Sequence, residues 1–197
     1  SGLKVHMKQG EKSCVKEILG DLWQRIDVTF IYGETGKEAR LVFPEHYEEA
    51  VENTPARILF TQHHGTGNNY RQCFYNKEMD YRKYDELFVL AKAQDKQEVL
   101  VDMVFNRLEY PYDLTDKNKD EYKDYMLEHF VQWSEILVEQ DAIERLQFLS
   151  KQSLWNREML DIAIMEASEK KRGETLSFLM NEKQSLYPER KKKTFEL

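Results

Sequence analysis

Two cysteines, Cys14 and Cys73, are too few for a disulfide framework or a cysteine-based structural zinc site, and they read as reduced thiols. No apolar run approaches the roughly 20 residues that a membrane-spanning helix requires. A charged-then-apolar leader is also missing from the start of the sequence, so nothing in these residues directs secretion, and the expected location is cytoplasmic. Ser1-Gly2 stands where an initiator methionine would, which reads as a cleavage scar from a larger parent protein. Clustered positive charge is scarce too: the run Lys191-Lys192-Lys193 in the tail reads as a solvated end. The formal net charge is −7, and residues 81–190 carry sixteen Lys/Arg against twenty-three Asp/Glu. Such a surface repels phosphate backbones, so the expected partner is a protein, a basic one, rather than nucleic acid or membrane.

What is present is a soluble globular composition, with 41% hydrophobic and 33% charged residues, long enough for one good core or two small ones. The apolar period changes along the chain. Val15, Ile18, Leu19, Leu22 and Ile26 share one helical face, which predicts a helix over Ser13–Ile26 with Ser13 as its N-cap. Val28, Phe30 and Tyr32 then alternate with Thr29 and Ile31, and Gly33-Glu34-Thr35-Gly36 separates them from Ala39–Phe43. That pattern predicts a β-hairpin, ended by Pro44, which cannot donate to a ladder. A helix-like stretch over Glu45–Asn53 precedes a second expected hairpin, Arg57–Gln62 with Tyr70–Tyr75, joined by the polar loop 63–69. Residues 1–79 therefore read as a small α+β unit.

From Asp80 onward the period is helical. Leu87, Leu90 and Ala91 lead one helix, and Val99, Leu100, Met103, Val104 and Leu108 the next. Pro111 and the run Asp113–Asp120 read as a loop. Tyr122, Met126, Phe130, Trp133 and Leu137 then predict one long amphipathic helix, and Ile143, Leu146 and Leu149 continue it or begin its partner. A last pair uses Leu160, Ala163, Ile164 and Ala167, then Leu176, Leu179 and Met180. Asp85, Asn156 and either Ser168 or Gly173 stand at caps and breaks. The expected class is α+β: a small antiparallel hairpin sheet with helices, followed by an α-helical hairpin array over 80–197.

In this array Asp80, Leu87 and Ala91, with Glu98-Val99 one residue late, resemble the ankyrin-repeat pattern. So do Leu160, Ala163, Gly173-Glu174, Leu176 and Leu179 in the last pair. The resemblance implies stacked helical hairpins that bind other proteins. The Thr-Pro-Leu-His turn of that family is absent, which leaves an ordinary helical bundle as the other reading.

Candidate chemistry is sparse. Gly33-Glu-Thr-Gly36-Lys37-Glu38 has only two residues between its glycines, and Glu38 where a phosphate loop needs Ser or Thr, so it reads as a turn. Gly65-Thr66-Gly67 lacks the third glycine of a dinucleotide fingerprint. His63 and His64 are adjacent, and neighbours on a strand point to opposite faces, which is poor geometry for one metal. These histidines with Asn68 and Asn69 form an alternative loop site, and with Cys73 the candidate centre of a hydrolase-like or metal-dependent enzyme fragment. The preferred reading is a non-enzymatic interaction module without metal or cofactor. Its surface would involve Tyr110, Tyr112, Asp113, Asp116 and Asp120, and Tyr81 and Tyr84 are grouped with these aromatic residues as a lead.

Overall fold

The computed structural model describes residues 2–7, 14–33 and 36–188. In chain order its elements are β1 (Gly2–Met7), α1 (Val15–Gly20), β2 (Ile26–Tyr32), β3 (Lys37–Phe43), β4 (Tyr47–Asn53), β5 (Ile58–His64), α2 (Gly67–Arg71), β6 (Phe74–Tyr75) and β7 (Glu78–Met79). Eight helices follow: α3 (Tyr81–Glu86), α4 (Phe88–Gln94), α5 (Gln97–Glu109), α6 (Asp116–Glu128), α7 (Phe130–Glu139), α8 (Ile143–Lys151), α9 (Arg157–Glu169) and α10 (Gly173–Leu186). The class is α+β, as the change of period predicts.

Two compact units divide the chain at residues 123 and 124. The switch in period places a boundary earlier, at 79 and 80. The first unit extends past it because α5 lies against β3 and α3 against the same strand. Strand order in its main sheet is β1-β2-β3, with β1 parallel to β2 and β2 antiparallel to β3. Val28, Phe30, Leu41 and Phe43 face a core shared with Leu19, Phe88, Leu100, Met103 and Val104, all buried. Tyr84 closes the outer edge of β3, since its hydroxyl donates to the Val42 carbonyl (2.8 Å) and accepts from the Val42 N–H (3.0 Å). An edge strand that would otherwise present open backbone groups is thereby covered.

Several expectations need correction. The first helix is six residues long rather than spanning 13–26; Ser13 lies outside the described residues, and Ile26 begins β2. Past its end, Arg71 donates to the carbonyls of Leu19, Leu22 and Gln24, which holds the chain in its non-helical course towards β2. The stretch 45–53 is not helical. Its residues from Tyr47 form seven rungs with β5, so pairing overrides the helix preference of its glutamates. Consequently β5 partners β4, and Tyr70 sits in α2 rather than in a strand. The first hairpin matches its prediction, with Gly33 and Gly36 at positive φ (42° and 61°). Glu34 and Thr35 lie outside the described residues, as does the Lys191–Lys193 run.

The Asp113–Asp120 loop is shorter than expected. Helix α6 starts at Asp116, where the Thr115 hydroxyl accepts from the Asn118 N–H at 3.3 Å. The single long helix is two, broken at His129, although all five residues of the predicted stripe are buried. Asp80 caps α3 through the Lys83 N–H, and Asn156 caps α9 through the Met159 N–H, the latter as predicted. Asp85 is no cap. It is buried inside α3.

In the second unit, α7, α8, α9 and α10 bury Trp133, Leu137, Leu146, Leu149, Leu160, Ala163, Ala167 and Leu179. Three helix ends share one turn. Asp141, Ser153 and Lys171 adopt positive φ (48°, 52° and 55°). The N–H of the next residue bonds back five positions, Ala142 to Leu137, Leu154 to Leu149 and Arg172 to Ala167, at 2.9 to 3.0 Å. This is the Schellman arrangement, formed here without glycine. The expected break at Gly173 is instead the first residue of α10.

The two hairpins also match in sequence. Glu139, Glu144, Leu146, Phe148 and Leu149 recur as Glu169, Glu174, Leu176, Phe178 and Leu179, an offset of 30 residues (169 − 139). The pattern Glu-x4-Glu-x-Leu-x-Phe-Leu thus spans a helix end, its turn and the next helix.

Candidate functional site

The histidine–glycine segment is a structural knot. His63 and His64 occupy successive positions of β5 and do face opposite ways. His63 Nδ1 meets Glu48 at 3.3 Å on one side, and His64 Nε2 meets Glu49 at 3.2 Å on the other. Each histidine is matched to a glutamate across the ladder, and His64 also stacks on Tyr47 (4.6 Å). Beyond them, Gly65 takes φ 73°, and an added Cβ there would overlap the Glu45 carbonyl. A Cβ at Gly67 would overlap the Pro44 carbonyl and the Arg71 guanidinium. These two glycines are required for the close approach of the 65–67 backbone to the 44–45 backbone.

Asp95 secures the turn from the other side, accepting from the Thr66 N–H and hydroxyl. Burial pushes its carboxyl above the usual value, against the opposing effect of the two Thr66 bonds. Arg71 completes the knot, with Nη1 donating to the Pro44 carbonyl at 2.7 Å. Asn68 and Asn69 are exposed on α2, and the Asn69 carbonyl faces the Cys73 thiol at 3.9 Å. Thr66 and Gly67, not the histidines, are the buried members of the segment.

Cys73 is fully buried, and burial pushes its thiol up to about 12. A thiol so raised stays protonated at neutral pH and is a poor nucleophile. His63, His64 and Cys73 are not assembled into a common centre; among the described residues no group of three His, Cys, Asp or Glu is placed to hold a metal. A direct expectation follows for labelling at pH 8 with a maleimide. Exposed Cys14 reacts within minutes, and Cys73 reacts only when denaturant is added. Equal labelling of both thiols in the folded protein, read by peptide mass, would contradict this burial.

The loop from Tyr110 to Thr115 is held by its aromatic residues. Tyr112 stacks on Tyr32 with centroids 4.1 Å apart and planes 7° from parallel, and its ring lies 5.1 Å from that of Tyr81. Arg40 of β3 lies over the Tyr110 ring at 3.8 Å, a cation–π contact. The hydroxyls of Tyr32 and Tyr81 are hydrogen-bonded to each other, and burial raises the Tyr32 phenol to about 12. So both loop tyrosines are half-buried, each with one ring face held against the protein. The carboxylates beside them are not drawn inward. Asp113, at φ 46°, is exposed, as are Asp116 at the start of α6 and Asp120. Asp116, Asp120, Asp124 and Glu128 follow at intervals of four along α6 and form an acidic stripe.

Beneath this loop lies the residue pair that sequence reading missed. Arg107 and Asp85 have fully buried side chains and form a two-pronged bond, Nε to Oδ1 at 2.7 Å and Nη2 to Oδ2 at 2.8 Å. Tyr122 donates its hydroxyl to Oδ1 at 2.8 Å. The trio ties α3, α5 and α6 together. Burial raises the Asp85 carboxyl above its usual value even though Arg107 and Tyr122 pull it down. Burial also opposes charge on Arg107, yet Asp85 outweighs it and holds the guanidinium firmly protonated. A signal for this pair exists in the sequence. Arg107 falls on the apolar stripe of Leu100, Met103 and Val104, where a cation needs a buried partner.

No family model matches this chain, and neither the curated proteins nor the solved structures give a significant match. Among the described residues, no helix is long and apolar enough to cross a membrane.

Proposed function

We propose that the protein is a non-enzymatic interaction module that binds a basic protein partner in the cytoplasm through the loop Tyr110–Thr115 and the acidic stripe of α6. One observation carries the reading: the loop is fixed from within by Tyr110 and Tyr112, while Asp113, Asp116 and Asp120 keep access to solvent. A surface already ordered before binding loses less conformational entropy when a partner docks. The net charge of −7 favours a cationic partner over nucleic acid and speeds its encounter. The matched hairpins α7–α8 and α9–α10 add weight to an ankyrin-like, binding-type scaffold.

The test is reversal of charge at Asp113→Lys, Asp116→Lys and Asp120→Lys together, with capture of partners from the native source. Binding is expected to fall by at least about tenfold, chiefly in association rate, and to lose most of its salt dependence. Partner binding unchanged by the triple variant would reject this surface.

A further inference from the structure

The β4–β5 hairpin differs from the main sheet in one respect: its apolar side chains are left in solvent. Ile58, Leu59, Phe60 and Tyr47 are 58%, 73%, 48% and 48% exposed, and among the described residues neither strand pairs with any third strand. An isolated two-stranded ribbon is marginally stable in water, and each of its outer edges presents unpaired N–H and C=O groups at alternate residues. The outer edge of β3 is met by Tyr84, but no described residue bonds the backbone of β5 on the side away from β4.

The two edges of the ribbon are chemically unlike. β4 carries Glu48, Glu49 and Glu52, charges that oppose the approach of another strand of the same kind. β5 reads Ile-Leu-Phe-Thr-Gln-His-His and contains no acid, and Glu48 and Glu49 lie beside His63 and His64. In a protein of net charge −7, this strip is where a second copy can approach without repulsion.

We propose that β5 pairs antiparallel with β5 of a second copy about a two-fold axis at Thr61, forming a four-stranded sheet β4-β5-β5-β4. Thr61 is the middle of the seven residues Ile58–His64, so the whole strand is used and no overhang remains. Ile58 then faces the partner's His64, Leu59 its His63, and Phe60 its Gln62. No like charges stand opposite one another, and Ile58 is covered by the Tyr47–His64 stack of the other copy. The acidic β4 strands become the outer edges, which halts growth at two copies. This interface is separate from the acidic stripe on α6, so either reading can fail without the other.

Sedimentation equilibrium of the 197-residue chain is expected to show a monomer–dimer equilibrium between about 1 and 100 μM, the range of a small interface. Thr61→Lys places two ammonium groups face to face across the axis, whereas within one hairpin the same side chain would sit diagonal to Glu48 and Glu52. It should therefore weaken the dimer at least about tenfold while the circular dichroism spectrum is unchanged. In a Cys14→Ser background, Thr61→Cys should form a cross-linked dimer under mild oxidation. Ala50→Cys should not, because the two β4 strands would be separated by three strand spacings, about 14 Å. A chain that sediments as a monomer at about 100 μM overturns the proposal, whether or not another protein occupies the edge. So does a dimer that survives Thr61→Lys, for instance through β1, or equal cross-linking at positions 50 and 61.

Discussion

Arg107→Met is expected to lower the stability of the first unit by about 3–5 kcal/mol, the cost of leaving a buried carboxylate without its partner. Asp85 would retain only the Tyr122 hydroxyl, in a position that water does not reach. The deficit should depend on pH in a defined direction. Burial already raises the Asp85 carboxyl above the usual 3.8, and loss of the guanidinium raises it further. In the variant the folded state would then hold a proton that the unfolded chain has released. Stability therefore falls as pH rises, and the deficit against the parent protein shrinks as pH is lowered towards 3.8. Urea melts of both proteins at pH 5 and pH 8 measure this. Exchanging the pair together, Asp85→Leu with Arg107→Met, should recover much of the loss, because two apolar side chains of similar volume need no compensating charge. A single variant as stable as the parent would show that the pair is not closed to water.

Gly67→Ala is expected to cost about 3 kcal/mol or more, although the change is a single methyl group. The added carbon would meet the Pro44 carbonyl and the Arg71 guanidinium, and neither can move aside freely. Pro44 is buried at the end of β3, and Arg71 is held by the carbonyls of Leu19, Leu22, Pro44 and Gln24. Displacing Arg71 would leave several of those carbonyls unpaired, at roughly 1–3 kcal/mol for each that is buried. Gly20→Ala is the control, since a Cβ at that helical position meets nothing within 4 Å and should be neutral or slightly stabilising. Thermal melts of the two variants should differ by many degrees. Equal melting temperatures would mean that the 65–67 turn can be displaced at little cost.

How much of this is legible in the sequence depends on the range of the forces concerned. The hairpin Ile26–Phe43 is readable because alternation, glycine turn and terminal proline all act within a few residues. The helices after Asp80 are readable for the same reason, as is the Asn156 cap. Stretch 45–53 misleads because its glutamates and an alanine favour a helix locally, whereas β5, a few residues further on, supplies a ladder. The turns at Asp141, Ser153 and Lys171 offer no glycine to notice, since the backbone bonds that hold them are made by helix ends of any sequence.

For the candidate site the division is similar. The acidity of Asp113, Asp116 and Asp120 is plain, but the inward turn of Tyr110 and Tyr112 depends on Arg40 and Tyr32, from a sheet far earlier in the chain. By itself the sequence determined the α+β class, the acidic character and the opposite facing of His63 and His64, because composition and strand period are local properties. Only the tertiary structure decided that Arg107 pairs with Asp85, that Arg71 and two glycines form a knot, and that β5 keeps an open edge. Each of these rests on burial and on partners distant in the chain, and desolvation acts on the folded surface.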